Sequence, residues 1–462
     1  MAGAFAAAVN WVLRGRYEEE VAAAGGEEVD VPVEEPPATA RDPLAYHRGD
    51  RSAGVAPSTY VSRRGLVAAV GGGLASVAAG ALRPATVLPA LDASPRVPSG
   101  GWPTHKRDPA RTGYQPEPGP HEGLVERWRQ RVGPHNAVVP GLVATGGRVL
   151  TVGRYATRAL SAADGSPDWT TRRRDPFGAV PGEPYEFVQA GPVVAGDRAL
   201  VVSGSSLHAL GVGNGSHDWT LPTTSSFGSV LAVGNAVFAG VSLSGGDRLV
   251  ALDRAGGVPR WQRDSGGVPL AFAPDAGLLL ATADPLGEDG TLVARDPADG
   301  SVVWRERRPG YPFAPRWTPA VADARVYAGR GPVYALSAAD GSEAWSAPLD
   351  GLDLDADHGP VTDGERVYLS GEATALALDA ATGERRWTVP VGTTSLAPPV
   401  LAGDTLYVPT PTAVVALRTD DGSERFRHEP PDIDGTVRGL VAADGRLYLR
   451  DDRTVRALEG ER

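Results

Sequence analysis

One stretch of eleven residues decides the fold of this chain: Ala335-Leu336-Ser337-Ala338-Ala339-Asp340-Gly341-Ser342-Glu343-Ala344-Trp345. It ends one run of alternating apolar residues, turns at Asp-Gly, and begins a second run that carries a tryptophan. A glycine lies four residues before each aromatic of this unit, and a leucine, replaced once by Arg295, lies nine residues before it. The unit occurs seven times, with its aromatic at Trp169, Trp219, Trp261, Trp304, Trp345, Trp387 and Phe426. Successive aromatics are separated by 50, 42, 43, 41, 42 and 39 residues, so the chain is built from internal repeats.

The repeat predicts a chain of β-hairpins. Glycine adopts a positive φ without steric penalty, and Asp-Gly between two alternating apolar runs favours a tight turn. About 42 residues accommodate four short strands and their turns, which is the size of one β-propeller blade. A tryptophan at the same place in every blade can pack between neighbouring sheets and set their spacing.

The two ends of the repeat region are predicted to meet. Trp128 lies 41 residues before Trp169, in phase with the repeat, but no Ala-Leu strand precedes it. At the other end, Ala457-Leu458 closes a strand whose expected aromatic would lie beyond Arg462. We therefore expect the strand around Trp128 to complete the C-terminal blade. The prediction is an all-β, eight-bladed propeller of four-stranded blades, with a seven-bladed ring and a loose N-terminal strand as the alternative.

The composition supports a turn-rich, all-β protein and excludes several functions. The 462 residues include 59 glycines, 41 prolines and no cysteine. The formal charge of −11 argues against a nucleic-acid surface, and Lys106 is the only lysine. The absence of cysteine rules out disulfides, thiolate metal sites and a cysteine-linked lipid anchor.

Four segments organise the chain: an N-terminal extension (1–60), a signal or anchor segment (61–95), a lead-in (96–124) and the propeller (125–462). In the second segment, Arg63-Arg64 precedes a weakly apolar, glycine-rich run at Val67–Leu82. Paired arginines before such a run are typical of a twin-arginine export signal, and an anchor or a linker is the alternative. The predicted location is extracytoplasmic, secreted or at the cell surface, with membrane association only through this segment if it is not cleaved. No methionine follows Met1, so a mis-assigned start is an alternative account of the extension.

The repeat Ala-Leu-x-Ala-x-Asp/Thr-Gly-x-x-x-Trp resembles that of the pyrroloquinoline-quinone-type β-propellers. The lead-in Trp102–Tyr114 is similar to the start of exported members from extreme halophiles. This resemblance implies two possible lines of function. Quinoprotein alcohol dehydrogenases bind the quinone and calcium on the propeller axis, whereas the barrel-assembly lipoprotein of bacterial outer membranes is a scaffold without a cofactor. The WD-type propeller is the structural alternative, but its Gly-His and Trp-Asp pairs do not recur here.

The differences from both relatives favour a scaffold. The dehydrogenases use vicinal cysteines and long insertions around the quinone, and this chain has no cysteine and blades of near-minimal length. No calcium ligand or catalytic base can be transferred by motif, and the lipid-bearing cysteine of the lipoprotein is also missing. We expect an unlipidated, non-catalytic propeller that binds a protein or cell-envelope component through its loops and needs no cofactor. The alternative is a quinone- or metal-dependent oxidoreductase with a cysteine-free site.

Few residues qualify as candidate sites. The acids Asp353, Asp355 and Asp357 alternate as calcium ligands do, but they lack a full loop signature, and a solvated acidic loop is the competing interpretation. The insert from Arg172 to Glu186 explains the 50-residue interval and is a candidate partner contact. Asn214 begins a glycosylation sequon, although Asn-Gly also suits the hairpin turn.

Overall fold

A computed structural model describes residues 88–461, except for residues 134–140, 154–155, 173–190, 204–205, 223–226, 244–245, 265–266, 284–289, 309–317, 330–331, 350–357, 372 and 396. The strands described below all lie in one unit that includes Ala90–Arg462. In this part of the chain, no helix has the length and apolar character needed to cross a membrane.

The strands form eight sheets, and each sheet is one blade. Two strands precede the first complete blade: β1 (Tyr114–Gln115) and β2 (Leu124–Arg131). Blade 1 contains β3 (Leu142–Thr145), β4 (Arg148–Val152), β5 (Ala156–Ser161) and β6 (Pro167–Arg172). Blade 2 contains β7 (Val193–Ala195), β8 (Arg198–Ser203), β9 (Ser206–Gly211) and β10 (His217–Pro222). Blade 3 contains β11 (Phe227–Val233), β12 (Ala236–Leu243), β13 (Gly246–Asp253) and β14 (Pro259–Asp264). Blade 4 contains β15 (Pro269–Ala273), β16 (Leu278–Thr282), β17 (Thr291–Arg295) and β18 (Val302–Arg307).

The second half repeats this order. Blade 5 contains β19 (Ala320–Ala322), β20 (Arg325–Gly329), β21 (Pro332–Ser337) and β22 (Glu343–Pro348). Blade 6 contains β23 (Val361–Thr362), β24 (Arg366–Gly371), β25 (Thr374–Asp379) and β26 (Arg385–Pro390). Blade 7 contains β27 (Val400–Ala402), β28 (Thr405–Pro409), β29 (Val414–Arg418) and β30 (Glu424–His428), with β1 added in parallel to β27. Blade 8 contains β31 (Gly439–Ala443), β32 (Arg446–Arg450) and β33 (Thr454–Gly460), and β2 completes it.

The predicted closure of the ring is confirmed. Strand β2 pairs with β33 in antiparallel register, and Trp128 lies opposite Ala457 with a bulge beside it. The same alanine–aromatic pair occurs in the continuous hairpins, for example Ala335 opposite Trp345. The first strands of neighbouring blades contact one another around the axis, so the fold is an eight-bladed β-propeller.

Each repeat tryptophan joins its own blade to the next one. The indole N–H donates to a backbone carbonyl in the hairpin turn of the next blade, at 2.8–3.1 Å for all seven tryptophans. The ring lies against the turn glycine of that blade, as Trp304 does against Gly341. Phe426 is the exception because the third and fourth strands of blade 8, β33 and β2, are not connected by a turn. A residue without an N–H donor therefore suffices there.

The hairpin turn is longer than the tight turn that the sequence suggests. Ala338–Ser342 connect β21 to β22, and the N–H of Gly341 donates to the carbonyl of Ser337 at 2.9 Å. Gly341 has the expected positive φ, +76°. The Asp340 carboxylate accepts hydrogen bonds from the backbone N–H and the hydroxyl of Ser342, which explains why an acid precedes the glycine.

The two ends of the propeller differ in their connections. We call hairpin face the end that carries the glycine turns between the third and fourth strands of each blade. The opposite end, the loop face, carries the connections from one blade to the next. Among these, the connection from β6 to β7 spans residues 173–192, that from β18 to β19 spans 308–319 and that from β22 to β23 spans 349–360.

Candidate functional site on the propeller axis

The lead-in runs around the axis of the ring at the hairpin face and passes the blades in their order around the ring. Its carbonyl groups accept hydrogen bonds from the backbone of the first strand, or the turn after it, in seven blades. In each pair the lead-in residue is named first, and the N–H of the second residue donates to its carbonyl at 2.7–3.0 Å: Gly100–Asp444, Trp102–Ala144, Pro103–Val194, Pro109–Phe272, Ala110–Val321, Thr112–Thr362 and Gly113–Leu401. The N–H of Trp102 also donates to the carbonyl of Ala144, at 2.6 Å. Upstream, the carbonyl of Asp92 binds the N–H of Asn235 in blade 3 at 2.9 Å. The segment therefore fills one end of the axis with the protein's own backbone.

The lead-in follows an irregular path to make these contacts. Lys106, Arg107 and Arg111 have φ values of +50°, +70° and +60°, a region that side chains other than glycine rarely occupy. The carboxylate of Asp108 accepts hydrogen bonds from the N–H and the hydroxyl of Thr112, which holds this turn together. Left-handed residues persist where the surrounding contacts hold them, and here these contacts come from the first strands of the blades.

Two cationic side chains of the lead-in are buried on the axis. Lys106 is 1% exposed, and its Nζ donates to the carbonyls of Thr318 at 3.1 Å and Pro360 at 2.9 Å. These two residues come shortly before the first strands of blades 5 and 6, respectively. Arg111 is 2% exposed, and its Nε donates to the carbonyl of Leu270 in blade 4 at 3.1 Å. These hydrogen bonds tie the lead-in to three blades through side chains as well as backbone.

Burial disfavours the charged forms of this cluster. It lowers the pKa of Lys106 well below its usual value, and the charge of Arg111 lowers it further while Asp108 opposes both. Burial lowers the pKa of Arg111 to about 10 and that of His105 well below its usual range, with Arg111 and Lys106 adding to the shift of His105. The pKa of Asp108 is raised by burial. The Nε2 atom of His105 and the hydroxyl of Thr318 are buried without a hydrogen-bond partner among the described residues.

The hydrogen bonds of this arrangement hold the lead-in against the blades. The donors of Lys106 and Arg111 bind backbone carbonyls and the hydroxyl of Thr104, and the carboxylate of Asp108 is held by Thr112. In the described ranges no group of three or more histidine, aspartate or glutamate side chains could hold a metal ion. The sequence marked the lead-in only by a family resemblance. Lys106, the single lysine of an arginine-rich chain, is the signal that could have drawn attention to it.

The other candidate residues are distributed differently. The repeat aromatics all lie on fourth strands between blades, and seven of the eight make the turn contact described above. Asn214 Oδ1 accepts a hydrogen bond from the N–H of Ser216 at 3.0 Å, as the turn interpretation requires. The targeting pair Arg63 and Arg64 lies outside the described residues, as do the acids Asp353, Asp355 and Asp357. Of the insert after β6, Arg172 is the last described residue before position 191.

Comparison with known proteins places this architecture in a family. A family model described as outer membrane protein assembly factor BamB matches residues 125–270 and 288–461, which make up more than half of the chain. The crystal structure of BamB from Moraxella catarrhalis has 21% sequence identity and a TM-score of 0.58, and the match covers 73% of this chain and 98% of that one. A europium-containing methanol dehydrogenase has 12% identity and a TM-score of 0.64, covering 78% of this chain and 98% of that one. At these identities the two structures establish a shared fold.

A third relative matches over a shorter range. The serine/threonine-protein kinase AfsK of Streptomyces griseus is 31% identical over 132 residues, which are 26% of this chain and 16% of the kinase. The chain thus matches about a sixth of that kinase's length. The family model, by contrast, spans the ring from β2 to β33. The chain belongs to the BamB family of pyrroloquinoline-quinone-like β-propellers.

Proposed function

We propose that this chain is an exported, non-catalytic scaffold that binds a protein or another cell-envelope component through the loop face of its propeller. The observation that carries the proposal is the filled axis. The lead-in is hydrogen-bonded to seven first strands or the turns beside them, and Lys106 and Arg111 are buried there. Because the lead-in occupies the hairpin-face end of the axis, we infer that a partner is bound at the opposite end of the propeller, the loop face.

The lengths of the connections favour the loop face as the binding surface. The three longest, residues 173–192, 308–319 and 349–360, begin and end at this face, while the hairpin face carries short turns such as Ala338–Ser342. Loops on a rigid scaffold are where binding residues concentrate. Fold alone does not determine function, so the nature of the partner rests on the family. The matching family model is named for an outer-membrane assembly factor, which supports a protein partner in the envelope.

Partner binding is tested with two matched variants of the full chain. In the first, the connection between Arg172 and Val193 is shortened to four residues, the length of the connection between Asp264 and Pro269. In the second, the exposed hairpin-face pair Arg418 and Asp420 is changed to alanine. Proteins cross-linked to each variant in envelope extract are quantified against the wild type. We expect the first variant to lose a specific partner and the second to retain it; the reverse pattern would contradict a loop-face scaffold.

The oxidoreductase alternative is supported by the shared fold of the dehydrogenase propellers. It is tested by dye reduction with alcohols and sugars in the presence of added quinone and Ca²⁺. The scaffold proposal expects no turnover above a heat-treated control. Saturable turnover would replace the scaffold with an enzyme.

Export is tested at the arginine pair. Twin-arginine transport requires both guanidinium groups, so changing Arg63 and Arg64 to lysine should leave the protein in the cytoplasm. Fractionation of cells that express the full chain measures this. Unchanged export of the double-lysine variant would exclude the twin-arginine route.

A further inference from the structure

One position of the repeat differs sharply in blade 8. The middle residue of each second strand lies opposite the alanine that faces the repeat aromatic, for example Tyr327 opposite Ala335 and Tyr448 opposite Ala457. The residue two positions after this middle residue therefore occupies the same place in every blade. Seven of these residues are small or apolar and the eighth is an arginine: Val152, Val202, Gly240, Thr282, Gly329, Ser370, Pro409 and Arg450.

The side chain of Arg450 is buried in the joint between blade 8 and blade 1. It shares a strand face with Arg446, whose Nη1 donates to the carbonyl of Ala162 in blade 1. Arg450 is 0% exposed, and its own Nη1 donates to the carbonyl of Val152 in blade 1 at 3.2 Å. Its Nε and Nη2 atoms have no hydrogen-bond partner among the described residues.

Blade 1 contributes two further polar groups to this joint. Thr151 is 1% exposed and lies on the face of β4 that also carries Val149, which packs in the same core cluster as Tyr448, on the Arg450 face of β32 in blade 8. Its hydroxyl is likewise without a partner in the described part of the chain. Arg158 lies opposite Thr151 in the sheet, and its Nη1 donates to the carbonyl of Val132 at 2.5 Å.

The nearby acids are engaged elsewhere. Asp451 accepts hydrogen bonds from the backbone N–H groups of Arg453 and Thr454, and it faces Arg456 at 3.5 Å. Asp452 pairs with Arg438 at 2.6 Å. Burial lowers the pKa of Arg450 to about 9, Asp451 opposes this shift, and Arg158 adds to it. The joint thus contains a buried guanidinium whose free edge has no anionic partner among these residues.

We propose that the joint between blades 8 and 1 is a binding site for a small oxyanion, held by the Nε–Nη2 edge of Arg450 and the hydroxyl of Thr151. Those two nitrogens carry parallel N–H groups that match two oxygens of one phosphate, sulfate or carboxylate. The charge of Arg158 favours an anion at the same place. A bound oxyanion would satisfy all three unpartnered groups and compensate a charge whose burial is otherwise unfavourable. The ion would then lock the joint at which the ring closes.

The proposal is tested by equilibrium urea unfolding of the full chain, with phosphate exchanged for chloride at constant ionic strength. Because Arg450 is fully buried, each urea concentration is reached both from folded and from unfolded protein, so that the ion can exchange. A site that binds only the folded state lowers the unfolding equilibrium constant about 100-fold when phosphate exceeds its Kd 100-fold. Phosphate also stabilises proteins by general exclusion, so the saturable part of the response is the diagnostic quantity.

Three variants separate the site from general salt effects. Arg450→Val introduces the residue that blades 1 and 2 have at this position. Arg450→Lys is a second variant, which keeps the positive charge but removes the bidentate Nε–Nη2 edge. Both should abolish the saturable response, while Arg438→Lys on the same blade should keep it. Thr151→Val should fold at least as stably without phosphate and bind phosphate several-fold more weakly. A saturable response that is equal in the wild type and the Arg450 variants, or absent from the wild type, would overturn the proposal.

Discussion

Each hairpin glycine meets two separate requirements, and Gly341 shows both. Its φ is +76°, a value that the Asp-Gly pattern predicts from local sequence alone. A Cβ atom at this position would also lie 2.8 Å from Cε3 of Trp304, which belongs to the preceding blade. The second requirement could not be predicted from the repeat, because the glycine contacts the tryptophan of the preceding repeat and not the tryptophan of its own.

Replacing Gly341 by alanine should therefore cost more than backbone strain. We expect a loss of about 1–3 kcal/mol from strain at the left-handed position, plus a further loss because the ring of Trp304 must move. Gly445→Ala is the matched control, since its φ is +72° and no atom lies within 4 Å of the added Cβ. Urea unfolding measures both. Equal losses in the two variants would mean that the tryptophan contact contributes nothing.

Asp379 should make stability depend on pH in the acid range. Arg386 holds the pKa of this carboxylate at about 2, and the N–H groups of Thr382 and Ala381 contribute. The unfolded value is about 3.9, so the ionised carboxylate stabilises the fold above about pH 4, and this contribution is lost as the pH falls toward 2. The melting temperature of the wild type should exceed that of Asp379→Asn near neutral pH, and the gap should narrow below about pH 4. A gap that stays constant down to pH 2 would show that the ionised form is not responsible.

Among the strands, β2 closes the ring by pairing with β33. Trp128 is 8% exposed and packs against Gly165 of blade 1 and Tyr448 of its own blade. Truncating it to alanine should cost about 3–5 kcal/mol, as for other large buried aromatics. Deleting Leu124–Val132 should be more severe because it exposes the edge of β33. Removing residues 1–60 is the control and should leave the melting temperature unchanged. If the strand deletion were equally harmless, pairing between β2 and β33 would not be what closes the ring.

At the scale of the whole molecule, periodic features could be predicted and non-periodic ones could not. The number of blades and the role of Trp128 follow from a constant spacing, which the sequence displays directly. The lead-in has no period, so its path around the axis depends on contacts with seven blades distant in sequence. Arg450 looks like an ordinary strand residue until the register shows which positions are equivalent. Long-range contacts of this kind leave no local pattern in one sequence.

The most direct test of the filled axis is the reactivity of Lys106 toward an amine-specific reagent. It is the only lysine, so the α-amino group at the N-terminus is an internal reference in the same molecule. The lowered pKa of Lys106 means that protonation would not protect an accessible amine, and slow reaction would therefore report burial. Mass spectrometry after partial labelling should find the N-terminus modified and Lys106 unmodified in the native protein, with both modified in urea. Labelling of Lys106 as fast as the N-terminus under native conditions would contradict a propeller whose axis is filled by its own lead-in.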